Sequence, residues 1–245
     1  MLSMREANVP VKRGLGAPPS PTGHNGSVDA AAADLMAGVG WNEPAQAVEY
    51  LDRIAGLPPR AQGEAVFRDA LPERPRSVLD LGCGDGRLAA LVLDARPSIT
   101  RAVAIDRSPP MLERAAERFG LDDRVRVIRW DLNDSIRAFG TFDLVVSGFA
   151  IHHLEDERKQ RLFAEVARQL EPGGWFFNLE VTKSSTPALH QHFLEAIGRT
   201  EDDPEDRLVS AETQAEWMHD AGLTDVHCRW RWRGFALLAG RGRAR

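Results

Sequence analysis

"RSVLDLGCGDGRLAALV", Arg76 to Val92, carries an apolar run, an acid and glycines at every second position. Val78, Leu79 and Leu81 form a short apolar run bounded by glycine, as a buried parallel strand does. From Arg87 onward, Leu88, Leu91, Val92 and Ala95 recur at helical spacing. Gly82, Gly84 and Gly86 therefore occupy a strand-to-helix turn, where missing β-carbons permit unusual φ and ψ and let a ligand lie against the backbone. The turn also aims the free N–H groups of a helix start at whatever binds there. A dinucleotide turn wants Gly or Ala where Arg87 stands, and the spacing here is G-x-G-x-G. Asp80, just ahead of the glycines, lies where a carboxylate could receive a ligand's ammonium group. Taken alone, the turn reads either as a nucleotide-type site or as an ordinary glycine-rich turn.

The following elements narrow that choice. "RAVAIDRSPPMLERAAERF" reads as a strand from Ala102 to Ile105, ended by Asp106, and a helix beginning near Pro109 or Pro110. An acid at the end of a second strand, roughly twenty residues past the glycines, is placed to accept hydrogen bonds from ribose hydroxyls. Asp106 or Ser108 could equally cap the helix. "RVRVIRWDLND" supplies a third alternating strand ending in Asp131, whose carboxylate can take an adenine amino proton while Trp130 or Leu132 packs the ring. The plain alternative for Asp131 is a turn residue.

With these segments in view, the chain resembles the class I S-adenosylmethionine-dependent methyltransferases. The resemblance rests on "VLDLGCGDG", "AIDRSPPML", "IRWDL", "FDLVVSGFAIHHL" and "LEPGGWFFNLE", in the family's order and spacing, and runs from about Arg76 to the end of the chain. It implies a Rossmann-like α/β fold: a seven-stranded, mostly parallel sheet with helices on both faces and its last strand antiparallel. It implies S-adenosyl-L-methionine as cofactor, with Asp80, Gly82, Cys83 and Gly84 at the methionine end. Asp106, with Arg107 and Met111 beside it, would hold the ribose side, and Asp131 and Leu132 the adenine. Ser147 and Phe149, placed after the fourth strand, would line the sulfonium region.

At 245 residues, 43% hydrophobic and 27% charged, the chain can bury one good core and is short for two full domains. Its net charge of −5 lacks the basicity of a general nucleic-acid binder. Cys83 and Cys228 suggest neither a disulfide framework nor a zinc site, and read as reduced thiols. No apolar segment reads as a secretory signal or membrane span, so a cytoplasmic protein without membrane partners, monomer or homodimer, is expected. Residues 1–28 are rich in Pro, Gly and Ser and read as a disordered tail. Residues 29–74 read as an N-terminal helical cap, with helical patterns at Asp29 to Met36, Ala47 to Ile54 and Gln62 to Leu71; Trp41 and Tyr50 are the residues to watch. That cap serves either as a lid selecting the acceptor or as a structural cover for the sheet. Residues 75–245 form the cofactor-binding domain.

Beyond the fourth strand, "FDLVVSG" from Phe142, come a helix in "ERKQRLFAEVARQL" and a fifth strand from Trp175, after a turn at Pro172, Gly173 and Gly174. Another helix is capped by Ser210 and stopped by Gly222. The last residues read as two strands about Arg233 and Gly234. "RWRWR" invites a nucleic-acid reading, yet on a strand Arg229, Arg231 and Arg233 share one face and Trp230 and Trp232 the other, as on an edge strand with one wet face.

Ligands of open α/β sheets sit beyond the carboxyl ends of the strands. There His152 is the candidate general base, with Glu180 as its orienter, for an alcohol or phenol acceptor that must lose a proton. The resemblance adds that some small-molecule O-methyltransferases of the family place an acid at the matching end of strand five. The alternative is that the histidines cap the next helix, a role that suits His153. His190 and His192 could line the acceptor pocket, but at i and i+2 they make poor metal partners, and no metal is expected. A small-molecule acceptor, methylated on O in preference to N or S by in-line displacement, is therefore expected. An RNA or protein methyltransferase and a non-catalytic cofactor binder are the alternatives.

Overall fold

A computed structural model describes residues 58–244, all within one unit, Val39–Arg245, that includes the first described helix. The expected tail, the helical patterns before residue 58, Trp41 and Tyr50 lie outside the described residues. In chain order the elements are α1 (Pro58–Ala70), β1 (Ser77–Leu81), α2 (Arg87–Ala95), β2 (Arg101–Asp106), α3 (Pro109–Phe119), β3 (Val125–Arg129) and β4 (Phe142–Gly148). There follow α4 (Asp156–Gln169), β5 (Leu170–Val181), α5 (Pro187–Ala196), α6 (Ala211–Asp220), β6 (Thr224–Trp232) and β7 (Phe235–Arg241). One seven-stranded sheet has the order β3-β2-β1-β4-β5-β7-β6. The pairs from β3 through β5 are parallel, while β7 runs antiparallel to both neighbours, as the resemblance implied. The strand order turns back between β1 and β4, and a crevice at such a switch point is where open α/β sheets bind ligands.

Strand alternation sends successive side chains to opposite faces, so this sheet has two cores. Leu79, Leu81, Val145, Phe176 and Leu238 pack with Leu162, Phe163 and Val166 of α4 and Met218 of α6. Val78, Leu144, Val146, Phe177 and Leu237 pack with Phe67 of α1 and Leu88 and Val92 of α2. All five residues of β1 are buried, which is why its sequence is apolar apart from Ser77 and Asp80. Trp230 meets α1 at Gly63, where an added β-carbon would lie 2.8 Å from the indole. The tryptophans of β6 are half-buried and Arg229 and Arg231 exposed, on a strand at the edge of the sheet.

Several boundaries differ from the sequence reading. α1 begins at Pro58, four residues before Gln62. β3 ends at Arg129, although Trp130 still donates its N–H to the Asp106 carbonyl at 2.8 Å. β5 runs through Pro172, Gly173 and Gly174 instead of starting after them, with a register shift opposite Phe142 and Leu144. Gly173 supplies a φ of 77° within this irregularity. Among the described residues, no helix is long and apolar enough to cross a membrane.

Candidate active site

The carboxyl ends of β1 to β4 border one cavity. Asp80, Gly82, Cys83, Gly84, Asp106, Arg107, Met111, Asp131, Leu132 and Phe149 all line it. These segments are far apart in sequence and meet because parallel strands start their connections on the same side of the sheet.

The glycines serve different purposes. A β-carbon on Gly82 would lie 2.3 Å from the Ala150 β-carbon, so this position is fixed by packing. At Gly84, φ is 54° and an added β-carbon would meet nothing within 4 Å, leaving the backbone open to a ligand. Asp80 is fully buried; its Oδ2 accepts the Ala89 N–H at 3.0 Å, which braces the start of α2. Its Oδ1 is buried without a hydrogen-bond partner in the described structure. Burial, helped by repulsion from Asp106 and Asp85, raises the pKa of Asp80 to about 7. A cationic group brought into the cavity would relieve that cost.

Asp106 accepts the Gly84 N–H and the Ser108 N–H, each at 2.8 Å. It thus ties the glycine turn to the start of α3, whose N-cap Ser108 makes no side-chain capping bond. Burial raises the Asp106 pKa, against the pull of those two N–H groups and of Arg107. Asp131 forms the turn that was its plain alternative, accepting Asn133 N–H at 2.8 Å, and still borders the cavity. Phe149 holds a φ of 54°, unusual for a bulky residue, with its N–H bonded to the Leu179 carbonyl at 2.8 Å. Ser147 stands apart from its expected place: it lies within β4, is fully buried, donates its hydroxyl to the Leu81 carbonyl and is not among the cavity-lining residues.

His152 and Glu180 meet. Nδ1 of His152 and Oε1 of Glu180 are 2.5 Å apart, with both side chains buried. Burial alone would favour a neutral ring, but the charge and hydrogen bond of Glu180, with Asp206 adding to them, raise the His152 pKa. Nε2 of His152 faces Oδ1 of Asp206 at 3.4 Å. Its neighbour His153 is the one that lines the cavity; burial and the adjacent His152 lower the His153 pKa to about 2. His190 and His192, offered above as pocket residues, are absent from the lining; His190 instead pairs with Asp202 at 2.8 Å on the surface.

Four contributors were invisible to sequence reasoning. Glu64 of α1 is buried, accepts Arg60 Nε at 2.9 Å and is held by both Nε and an Nη of Arg87, at 2.8 and 2.7 Å. All three line the cavity. Arg60 also sits over the Phe149 ring at 5.4 Å. Their only local signal is an i,i+4 Arg–Glu pair, which reads as an ordinary solvated helix face. Asp206, the fourth, sits in a connecting segment with no motif around it.

Residues 78–174 match the family described as a methyltransferase domain. An uncharacterized methyltransferase of Mycobacterium bovis is 35% identical over 126 residues, which cover 51% of this chain and 59% of that protein. A malonyl-[acyl-carrier protein] O-methyltransferase of Anoxybacillus flavithermus is 27% identical, over 69% of this chain and 64% of its own length. This chain thus spans less than two thirds of either relative. An O-methyltransferase family protein of Burkholderia thailandensis has the same fold, with a TM-score of 0.62 at 24% identity, over 89% of this chain and 61% of that one.

Proposed function

We propose that this chain, whose fold and methyltransferase-domain match fit the class I S-adenosylmethionine-dependent methyltransferases, transfers a methyl group to an oxygen of a small-molecule acceptor, with His152 as general base. The reading is carried by the buried His152–Glu180 contact of 2.5 Å, one residue along the chain from cavity-lining His153. The O-methyltransferase names of the Anoxybacillus and Burkholderia proteins support the choice of atom.

The cavity suits the cofactor. The unpartnered Asp80 Oδ1 offers a buried acceptor for its ammonium, and Gly84 leaves its backbone uncovered. Asp106 retains lone pairs for the ribose hydroxyls beyond its two backbone bonds. Asp131 and Leu132 would take the adenine, and Cys83, Arg107, Met111 and Phe149 complete the cavity walls. When bound, S-adenosylmethionine supplies an electrophilic methyl carbon on a sulfonium.

The remaining work is positioning and proton transfer. Glu180 holds the Nδ1–H of His152, which fixes the tautomer with Nε2 bare and favours the imidazolium once a proton arrives. An acceptor hydroxyl would approach where Asp206 now faces Nε2 and give its proton to that nitrogen, while the sulfonium's carbon–sulfur bond would break to leave S-adenosylhomocysteine. Incubating the protein with cofactor and a library of alcohols, phenols and carboxylic acids, and following S-adenosylhomocysteine release, tests the reaction. With an accepted substrate, His152→Ala should slow single-turnover transfer by about 10²–10⁴-fold, with cofactor affinity nearly unchanged, and Glu180→Gln should cost less. A His152→Ala enzyme with the parent's rate and pH profile would return the histidine to a structural role.

A further inference from the structure

We infer that His152, His153 and Asp206 form a binding site for one divalent transition cation, zinc above all. One ligand atom from each of the three lies within 4.8 Å of the others. Oδ1 of Asp206 is 3.4 Å from Nε2 of His152 and 3.6 Å from Nδ1 of His153, and the two imidazole rings have centroids 4.0 Å apart. Zinc holds nitrogen and oxygen ligands at about 2.0–2.1 Å in a tetrahedron, which separates neighbouring ligand atoms by about 3.3 Å. Two edges of that tetrahedron are therefore already close to length. All three side chains are at least four-fifths buried, so their approach is set by the surrounding structure rather than by a mobile surface.

The surroundings suit a metal as well. Glu180 holds the far nitrogen of His152, and a carboxylate behind a histidine is the usual outer partner of a metal-bound imidazole. His153 is held through a hydrogen bond with the Glu205 backbone. Two imidazoles with one carboxylate favour zinc over magnesium or calcium, which prefer all-oxygen sites. Together Glu180 and Asp206 carry the two negative charges that balance a divalent ion. Nearby cations oppose it: Lys159, which Asp156 and the Arg207 carbonyl hold, and Arg199, 3.9 Å from the other Asp206 oxygen. Occupancy would take the Nε2 lone pair that the proposed methyl transfer needs, so zinc should inhibit that reaction; this consequence, unlike the site itself, rests on the base assignment above.

The full-length, tag-free chain, stripped with a chelator, is titrated with zinc against a chromophoric competitor and with cobalt(II) as a spectroscopic stand-in, both without acceptor. One equivalent should bind, with the intense visible bands of four-coordinate cobalt. His153→Gln and Asp206→Asn should each weaken zinc at least tenfold, and Glu180→Gln about 10–100-fold, as loss of an outer partner does. A parent-like far-ultraviolet circular dichroism spectrum in all three should show an intact fold. A parent protein that binds no more zinc than a His152→Gln/His153→Gln double variant would overturn the site. One-equivalent binding that leaves methyl transfer at full rate would uphold the site and remove the base assignment.

Discussion

Gly82 and Gly84 stand two residues apart, and an added β-carbon meets the Ala150 β-carbon at 2.3 Å at the first and open space at the second. Gly84→Ala should therefore cost only the left-handed φ, roughly 1–2 kcal/mol, while S-adenosylhomocysteine affinity falls tenfold or more in calorimetry. Gly82→Ala should show the larger fall in melting temperature. If both variants bound like the parent, the ligand would not lie against this turn. Asp80 adds a pH dependence. The unfolded chain ionises it near 3.8 and the folded chain holds its proton to about 7, so its contribution to stability falls as pH rises between those values. An ammonium ligand needs the ionised form, so S-adenosylhomocysteine affinity should climb as pH rises toward 7 and then level off, and Asp80→Asn should weaken binding and flatten that climb. Residues with a local reason to be where they are, such as Asp80, Gly84 and Asp106, were legible in the sequence. Glu64 and Asp206 were not, because their partners lie 23 and 54 residues away, in Arg87 and His152.

Among the elements, α1 and β6 depend on each other through Gly63, where a β-carbon would also approach the Leu179 side chain at 3.0 Å. Gly63→Val should push α1 off the sheet, displacing Arg60 and Glu64 from the cavity wall. A lower melting temperature with weakened S-adenosylhomocysteine binding is expected; weakened stability with parent-like affinity would show that α1 does not shape the ligand site. The alternation of Arg and Trp in β6 was readable because strand geometry alone assigns the two faces. Where β5 begins was not readable. Pro, Gly and Gly signal a turn locally, yet pairing of Leu170 with Phe142 keeps the segment in the sheet. Hydrogen bonds from a neighbouring strand outweighed the local preference, and no stretch of the segment itself records that neighbour.

At the scale of the whole molecule, a ligand that binds only the folded chain stabilises it by mass action. S-adenosylhomocysteine at a hundred times its dissociation constant should add about 2.7 kcal/mol, or roughly 5–10 °C in melting temperature for a chain of this size. NAD at the same concentration should shift it little, since Arg87 replaces the small residue of a dinucleotide turn. A larger shift with NAD would move the protein to another reaction class. By itself, the sequence determined the alternation of strands and helices, the glycine turn and the acids that end the strands, because hydrophobic period and backbone freedom are local properties. Only the tertiary structure decided that Asp206 joins the pair of His152 and Glu180, that His153 faces the cavity, and that Ser147 stays in the core. Those outcomes depend on which strands become neighbours and on how a distant connection packs across them, and contacts of that kind leave no periodic mark on the chain.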